Sequence, residues 1–179
     1  MSKTTVYEVK VMFGDCDPAG IVFFPNFCKW MDASSLDFFM QCGIPPWREL
    51  KKTHGIIGTP LLEIHTQFFK PATYGDTLQV HTHVAEWREK VIVQKHVVQR
   101  GELVLCEGLE TRAFVVHPDG DPDRLKAIPV PDFIKEECSP VSYLKFPLAR
   151  FPVTCKCTFF VSEKLTLEQG FCNCSHINA

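Results

Sequence analysis

Apolar and polar positions along the chain form one helical block followed by several alternating ones. From Pro25 to Cys42 the segment PNFCKWMDASSLDFFMQC has no internal glycine or proline and runs into Gly43, Pro45 and Pro46, so it predicts one long helix with a normal stop. At about 100° per residue, Asn26, Lys29, Asp37 and Gln41 share one narrow polar stripe. Phe27, Trp30, Met31, Phe38 and Phe39 cover most of the remainder, which predicts a helix wrapped by other elements rather than propped against a surface.

The wrapper is expected to follow in sequence. Leu78, Val80, Thr82 and Val84 alternate with Gln79, His81 and His83, and β-rich runs recur at Ile64 to Phe69, Val91 to Gln99 and Leu103 to Val116. Their separators are Pro71 to Asp76, Glu86 to Lys90 and Arg100 to Glu102, short enough for antiparallel connections and too short for βαβ crossovers. An early helix and a later run of long antiparallel strands predict an α+β fold in which a curved sheet encloses the helix.

HPDGDPDR, residues 117–124, reads as a turn, and PVPDFIKEEC as a short closing helix. From Ser139 the character changes. The last stretch shows neither period and carries two Cys-X-Cys pairs, Cys155/Cys157 and Cys172/Cys174, with His176 nearby. A small thiolate metal site and an ill-ordered appendage both fit; the spacing is not that of the common Cys-X2-Cys ribbons, and the expectation is no metal. The organisation expected is a domain over 1–138 and a C-terminal extension over 139–179.

The 179 residues suit one domain with an ordinary core. Nineteen basic against twenty-one acidic side chains leave a net charge of −2, so no general field recommends nucleic acid or an anionic membrane as partner, and any anion must be bound locally. MSKTTVYEVK has no signal-peptide core and no apolar run reaches bilayer-spanning length, which makes a cytoplasmic location the default expectation. Nine cysteines are an odd number. Five of them, Cys16, Cys28, Cys42, Cys106 and Cys138, stand singly among apolar residues, as reduced core thiols would.

Candidate chemistry begins in FGDCDPAGIVFFPNF, residues 13–27. Asp15 and Asp17 immediately precede the helix, whose first N–H groups lack intrahelical partners and whose dipole favours negative charge. The same N–H groups can hold an oxygen whose charge grows in a transition state, so a nucleophile or base and an oxyanion site would stand together. Helix capping or a turn around Pro18 and Gly20 is the structural alternative. Asp32 lies off the polar stripe, between Leu36 and Phe39, and reads as a buried acid satisfied by a neighbour or as a substrate-binding group. Nucleotide-binding and hydrolase signatures are absent: the sequence has no Gly-X-Ser-X-Gly elbow, P-loop or Gly-X-Gly-X-X-Gly. No local signature pairs a cysteine with a histidine, and His81 and His83, on one strand face, lack a third placed metal ligand. Arg88 and Lys90 in EWREK, with Arg124 and Lys126 in DPDRLK, would form a local phosphate site if they converge.

Taken in order and spacing, FGDCDPAGIVFFPNF, CGIPPWR, GIIGTP, EWREK and RLKAIPVPDFI resemble the 4-hydroxybenzoyl-CoA thioesterase family of hotdog-fold proteins in its Pseudomonas-type form, over about residues 8–138. The resemblance implies a hotdog fold, a long central helix wrapped by an antiparallel sheet, with active sites where two subunits meet. It implies that Asp17 is the catalytic carboxylate and that the backbone N–H of Phe24, a position occupied by tyrosine in the Pseudomonas-type enzyme, polarises the thioester carbonyl. Asp32, Trp47 and Thr59 would line the aryl pocket, with Asp32 near the ring hydroxyl. Arg88, Lys90, Arg124 and Lys126 would hold coenzyme A, with Glu89 opposing the first pair.

The function implied is a cytoplasmic thioesterase without cofactor, a homodimer assembling into a homotetramer, that hydrolyses an aromatic acyl-CoA, foremost 4-hydroxybenzoyl-CoA. Benzoyl, aminobenzoyl and short aliphatic acyl groups are the alternatives. A non-catalytic acyl-CoA-binding protein is the reading from another class; the intact Asp17 and Gly20 argue against it.

Overall fold

The computed structural model describes residues 3–140. Strand β1 (Thr4–Lys10) leads through a 3-10 turn (Phe13–Asp15) and a loop into helix α1 (Pro25–Gln41). Helix α2 (Trp47–His54) and a short strand β2 (Ile56–Gly58) follow. Then come four long strands, β3 (Leu61–Phe68), β4 (Thr77–Trp87), β5 (Val91–Arg100) and β6 (Leu103–Ala113). Two short strands, β7 (Val115–Val116) and β8 (Lys126–Ala127), and helix α3 (Asp132–Glu137) close the described chain. The Cys-rich segment from Cys155 to His176 lies outside the described residues.

The long strands form one antiparallel sheet in the order β1-β4-β5-β6-β3, and β2-β7-β8 form a smaller one. Turn chemistry sets this order. Three residues, Arg88 to Lys90, join β4 to β5, where Arg88 N–H donates to Val91 O at 2.8 Å. Two residues, Gly101 and Glu102, join β5 to β6, with Gly101 at φ +59°, a left-handed conformation that suits glycine. β4, β5 and β6 are therefore neighbours, while β1 pairs with β4 and β3 with β6 at the two edges, and helix α1 lies across the inner face of the sheet.

Helix α1 begins with Pro25 in its first turn, where the missing N–H costs nothing. Its buried face packs two hydrophobic clusters. Phe27, Trp30 and Met31 meet Leu78, Val80, Val98 and Leu105 at one end; Phe38 and Phe39 meet Ile92, Phe114 and Ile134 at the other. Between them runs a polar belt. Ser34 Oγ contacts Thr82 Oγ1 at 2.8 Å and His96 Nδ1 at 3.2 Å, and Ser35 Oγ donates to Gln94 Oε1 at 2.5 Å. All five side chains are buried, and the belt pairs the three hydroxyls, Gln94 Oε1 and His96 Nδ1, leaving Gln94 Nε2 and His96 Nε2 without hydrogen-bond partners among the described residues.

Two expectations need correction. The helix is not enclosed all round within this chain: Lys29, Asp32, Leu36 and Met40 are exposed along the side turned from the sheet. Asp32 is accordingly no buried acid. Sequence pattern alone also did not point to β1, α2 and β2. The single cysteines lie as expected, with Cys42, Cys106 and Cys138 buried and Cys16 and Cys28 half-buried, all free; burial, aided by Cys28 and Glu107 nearby, pushes the Cys106 thiol up to about 12. No described helix is long and apolar enough to cross a membrane.

Candidate active site

The loop ahead of α1 is folded back onto the helix start. Asp17 N–H donates to Ile21 O at 2.8 Å, and Gly20 N–H returns to Asp17 O at 2.9 Å. Gly20 has φ +76°, a conformation that favours glycine. Asp17 Oδ1 accepts the Ala19 N–H at 2.8 Å in an Asx turn. Asn26, from the first turn of α1, fastens the loop by donating its Nδ2 to Asp15 O at 2.9 Å, and Phe23 N–H reaches the same carbonyl.

The two acids have different settings. Asp15 Oδ2 accepts the Met12 N–H at 2.8 Å, so this carboxylate closes the 3-10 turn. Asp17 is half-buried and keeps Oδ2 unbonded among the described residues. Phe24, at the N-cap, likewise keeps its N–H unbonded, whereas Asn26 and Phe27 donate back to Phe23 O and Phe24 O. A carboxylate oxygen and an open N–H thus stand at one helix start. Beside them an apolar groove of about 390 Å³ is lined by Ile21, Val22, Phe24, Phe27, Phe68 and Phe69.

A second cleft, also of about 390 Å³, lies further along α1 and gathers Asp32, Trp47 and Thr59 with Ser35, Arg112 and Leu125. Three separated segments supply the expected trio. Trp47 opens α2 and packs edge-on to Phe39, with ring centroids 5.3 Å apart. Thr59, buried, sits between β2 and β3. The Asp32 side chain is 67% exposed and pairs with Arg112, whose Nη2 lies 2.5 Å from Asp32 Oδ1. Asp32 lies eight residue steps along the helix from Phe24, roughly 12 Å of rise. The helix-start pair and the cleft are therefore distinct features of one chain.

The four candidate cations are exposed, and the backbones of Lys90, Arg124 and Lys126 lie at or next to β7. Lys90 O accepts the Phe114 N–H at 3.3 Å, immediately before β7, and Lys126 pairs with Val116 within the small sheet. His117 Nδ1 donates to Arg124 O at 2.9 Å. Arg88 is held by Glu86 at 2.8 Å rather than standing alone. Leu125, between Arg124 and Lys126, reaches the rim of the cleft. Among the described residues no three His, Cys, Asp or Glu side chains gather as metal ligands.

Sequence reasoning passed over Arg112 and Glu110. Both lie on β6 at the parity of Cys106 and Gly108, the inward-facing positions, and both are buried. A period-2 reading of CEGLETR would have put two opposite charges into the core, the signal that was available.

The model of the thioesterase-like superfamily matches residues 11–138. The 4-hydroxybenzoyl-CoA thioesterase of Pseudomonas sp. (strain CBS-3) is 42% identical over 144 residues, covering 78% of this chain and 100% of that protein. A solved structure of a 4-hydroxybenzoyl-CoA thioesterase, an aspartate-to-asparagine mutant complexed with 4-hydroxybenzoyl-CoA, superposes with a TM-score of 0.71 at 39% identity, covering 76% of this chain and 99% of that one. A gentisyl-coenzyme A thioesterase structure gives a TM-score of 0.64 at 32% identity, covering 73% and 99%.

Proposed function

The chain belongs to the thioesterase-like superfamily, and from that membership we propose that it hydrolyses an aromatic acyl-CoA, foremost 4-hydroxybenzoyl-CoA, to the free acid and coenzyme A. The observation that carries this reading is that half-buried Asp17 keeps one oxygen free in the loop folded back onto the start of α1, where the N–H of Phe24 is also open.

In this reading the Phe24 N–H receives the thioester oxygen and stabilises its growing charge at the positive end of α1. Asp17 either adds to the carbonyl carbon, expelling the coenzyme A thiolate to leave a mixed anhydride that water opens, or removes a proton from the attacking water. Either route consumes one water and yields acid and thiol. Asp32, Trp47 and Thr59 take the aryl ring, and Arg88, Lys90, Arg124 and Lys126 take the nucleotide phosphates.

The protein acts as a homo-oligomer in the cytoplasm. Strand β3 ends the sheet with one unpaired edge and exposes Leu61, Leu62, Ile64 and Phe68, a surface that a second copy would cover. Roughly 12 Å of helix between Phe24 and Asp32 supports a site shared between two chains, each giving one half.

Thiol release over hydroxybenzoyl, gentisyl, benzoyl and short aliphatic CoA thioesters, with Asp17→Asn as control, tests the proposal. Hydrolysis confined to aryl substrates and cut by roughly 10²–10⁴ in Asp17→Asn is expected. Undiminished turnover by the variant would sink the mechanism, and none by the parent would favour a binding protein. Single turnover in labelled water separates the routes, because label entering Asp17 marks the anhydride.

A further inference from the structure

A chain of buried charge ends at the polar wall of the cleft. His96 Nε2 and Glu110 Oε2 stand 3.3 Å apart, and both side chains are fully buried. Burial pushes the Glu110 carboxyl up, but its neighbours His96 and Arg112 outweigh that and hold Glu110 below its ordinary range. Arg112 Nε donates to Glu110 Oε2 at 2.8 Å, and Nη1 to Thr59 O at 3.0 Å. Nη2 reaches Asp32 Oδ1 at 2.5 Å and also lies 2.8 Å from Glu110 Oε2. One guanidinium therefore ties β6 to α1 and to the segment between β2 and β3, three walls of one cleft.

We propose that Arg112 is the positioning residue for Asp32 and sets the acyl specificity of the cleft; this deepens, and rests on, the aryl-CoA reading above. Arg112 holds Asp32 through Oδ1 and leaves Oδ2 as the unshared acceptor. Its own charge is opposed by two carboxylates, Glu110 and Asp32, and each of its three nitrogens already donates to a protein oxygen, so it has little charge and few donors left for an incoming anion. The cleft selects acyl groups whose far end bears a neutral hydrogen-bond donor, such as a hydroxyl, and rejects those ending in a carboxylate. A buried Arg at a pocket wall would ordinarily suggest the opposite preference; Glu110 reverses it.

Binding of non-hydrolysable thioether analogues of CoA bearing phenacyl, 4-hydroxyphenacyl and 4-carboxyphenacyl groups, followed by titration calorimetry, tests this without relying on turnover. The parent is expected to bind the hydroxy analogue roughly tenfold tighter than the bare ring, as one hydrogen bond to a charged acceptor would give, and the carboxy analogue weakest. Arg112→Met should bring the hydroxy and bare-ring affinities together while leaving the bare ring nearly unchanged, and should cost no further discrimination on an Asp32→Asn background. Equal weakening of all three analogues, or additive losses in the double variant, would overturn the proposal, as would tight binding of the carboxy analogue or no binding by the parent. If Arg112→Met does not fold, Arg112→Lys decides. That variant keeps the charge but not the three-way geometry, so an intermediate ratio is expected and a parental one overturns the proposal. A parent that binds with this selectivity yet hydrolyses nothing refutes the catalytic reading alone.

Discussion

Met31 of α1 sits directly against Gly108 of β6: a Cβ built on Gly108 would come within 2.5 Å of Met31 Sδ and 3.0 Å of its Cε. This contact fixes how deeply the helix lies in the sheet, and with it the depth of the neighbouring cleft. Met31 is fully buried, so the flexible end of its side chain can give way only by displacing the core side chains around it. Gly108→Ala should therefore lower stability by about 1–3 kcal/mol through overpacking. Urea unfolding measures it, and an unchanged midpoint would show that the helix can lift at no cost.

The central helix was legible because proline and glycine bracket it and aromatic residues crowd one side, and the hairpins because their separators are too short for anything else. Strand β1 was not, since its edge position buries only Thr5 and Val9. Helix α2 was missed because WRELKKTH buries Leu50 alone and gives no apolar period. Asp32 was misread as buried because wheel geometry orders side chains around an axis but does not say which arc the sheet covers; the arc holding Leu36 and Met40 is open. The trio Asp32, Trp47 and Thr59 came from family resemblance, and only folding brings Arg112, eighty positions from Asp32, to meet it.

Glu110 predicts a pH signature. Its folded-state pKa lies below the ordinary value, so it stabilises the fold above about pH 4.3, where the unfolded carboxyl is ionised, and that contribution is lost as pH falls through the lower folded value. Glu110→Gln should cost about 1–3 kcal/mol at neutral pH, since Arg112 loses its buried charge partner. The gap between parent and variant should shrink on acidification below pH 4.3. Urea midpoints across this range check it; a gap constant with pH would remove Glu110 from the acid response.

Asp15 and Asp17 should respond differently to the same isosteric change. Asparagine can still accept the Met12 N–H at position 15 and the Ala19 N–H at position 17, so both loops keep their turns. Asp17→Asn then removes only the charge that the proposed mechanism directs at the thioester, and turnover should fall by roughly 10²–10⁴. Asp15→Asn should stay within a few-fold of the parent. Steady-state hydrolysis of 4-hydroxybenzoyl-CoA compares them, and equal losses would mean that loop geometry, not Asp17 chemistry, controls the rate.

The oxyanion role assigned to Phe24 belongs to its backbone, and backbone geometry allows a direct test. Phe24 has φ −50° and ψ −35°, and its N–H bonds nothing in the described chain. Proline, with φ near −65°, fits there and deletes the donor together with the ring. Phe24→Ala removes the exposed ring and keeps the N–H. The expected order is unusual: Phe24→Ala retains most of kcat, whereas Phe24→Pro loses roughly 10²–10³, the usual effect of deleting one oxyanion donor. Circular dichroism and thermal unfolding confirm that the proline variant folds. If the alanine variant fell as far as the proline variant, the ring rather than the N–H would be at work, and the carbonyl would have to be polarised elsewhere.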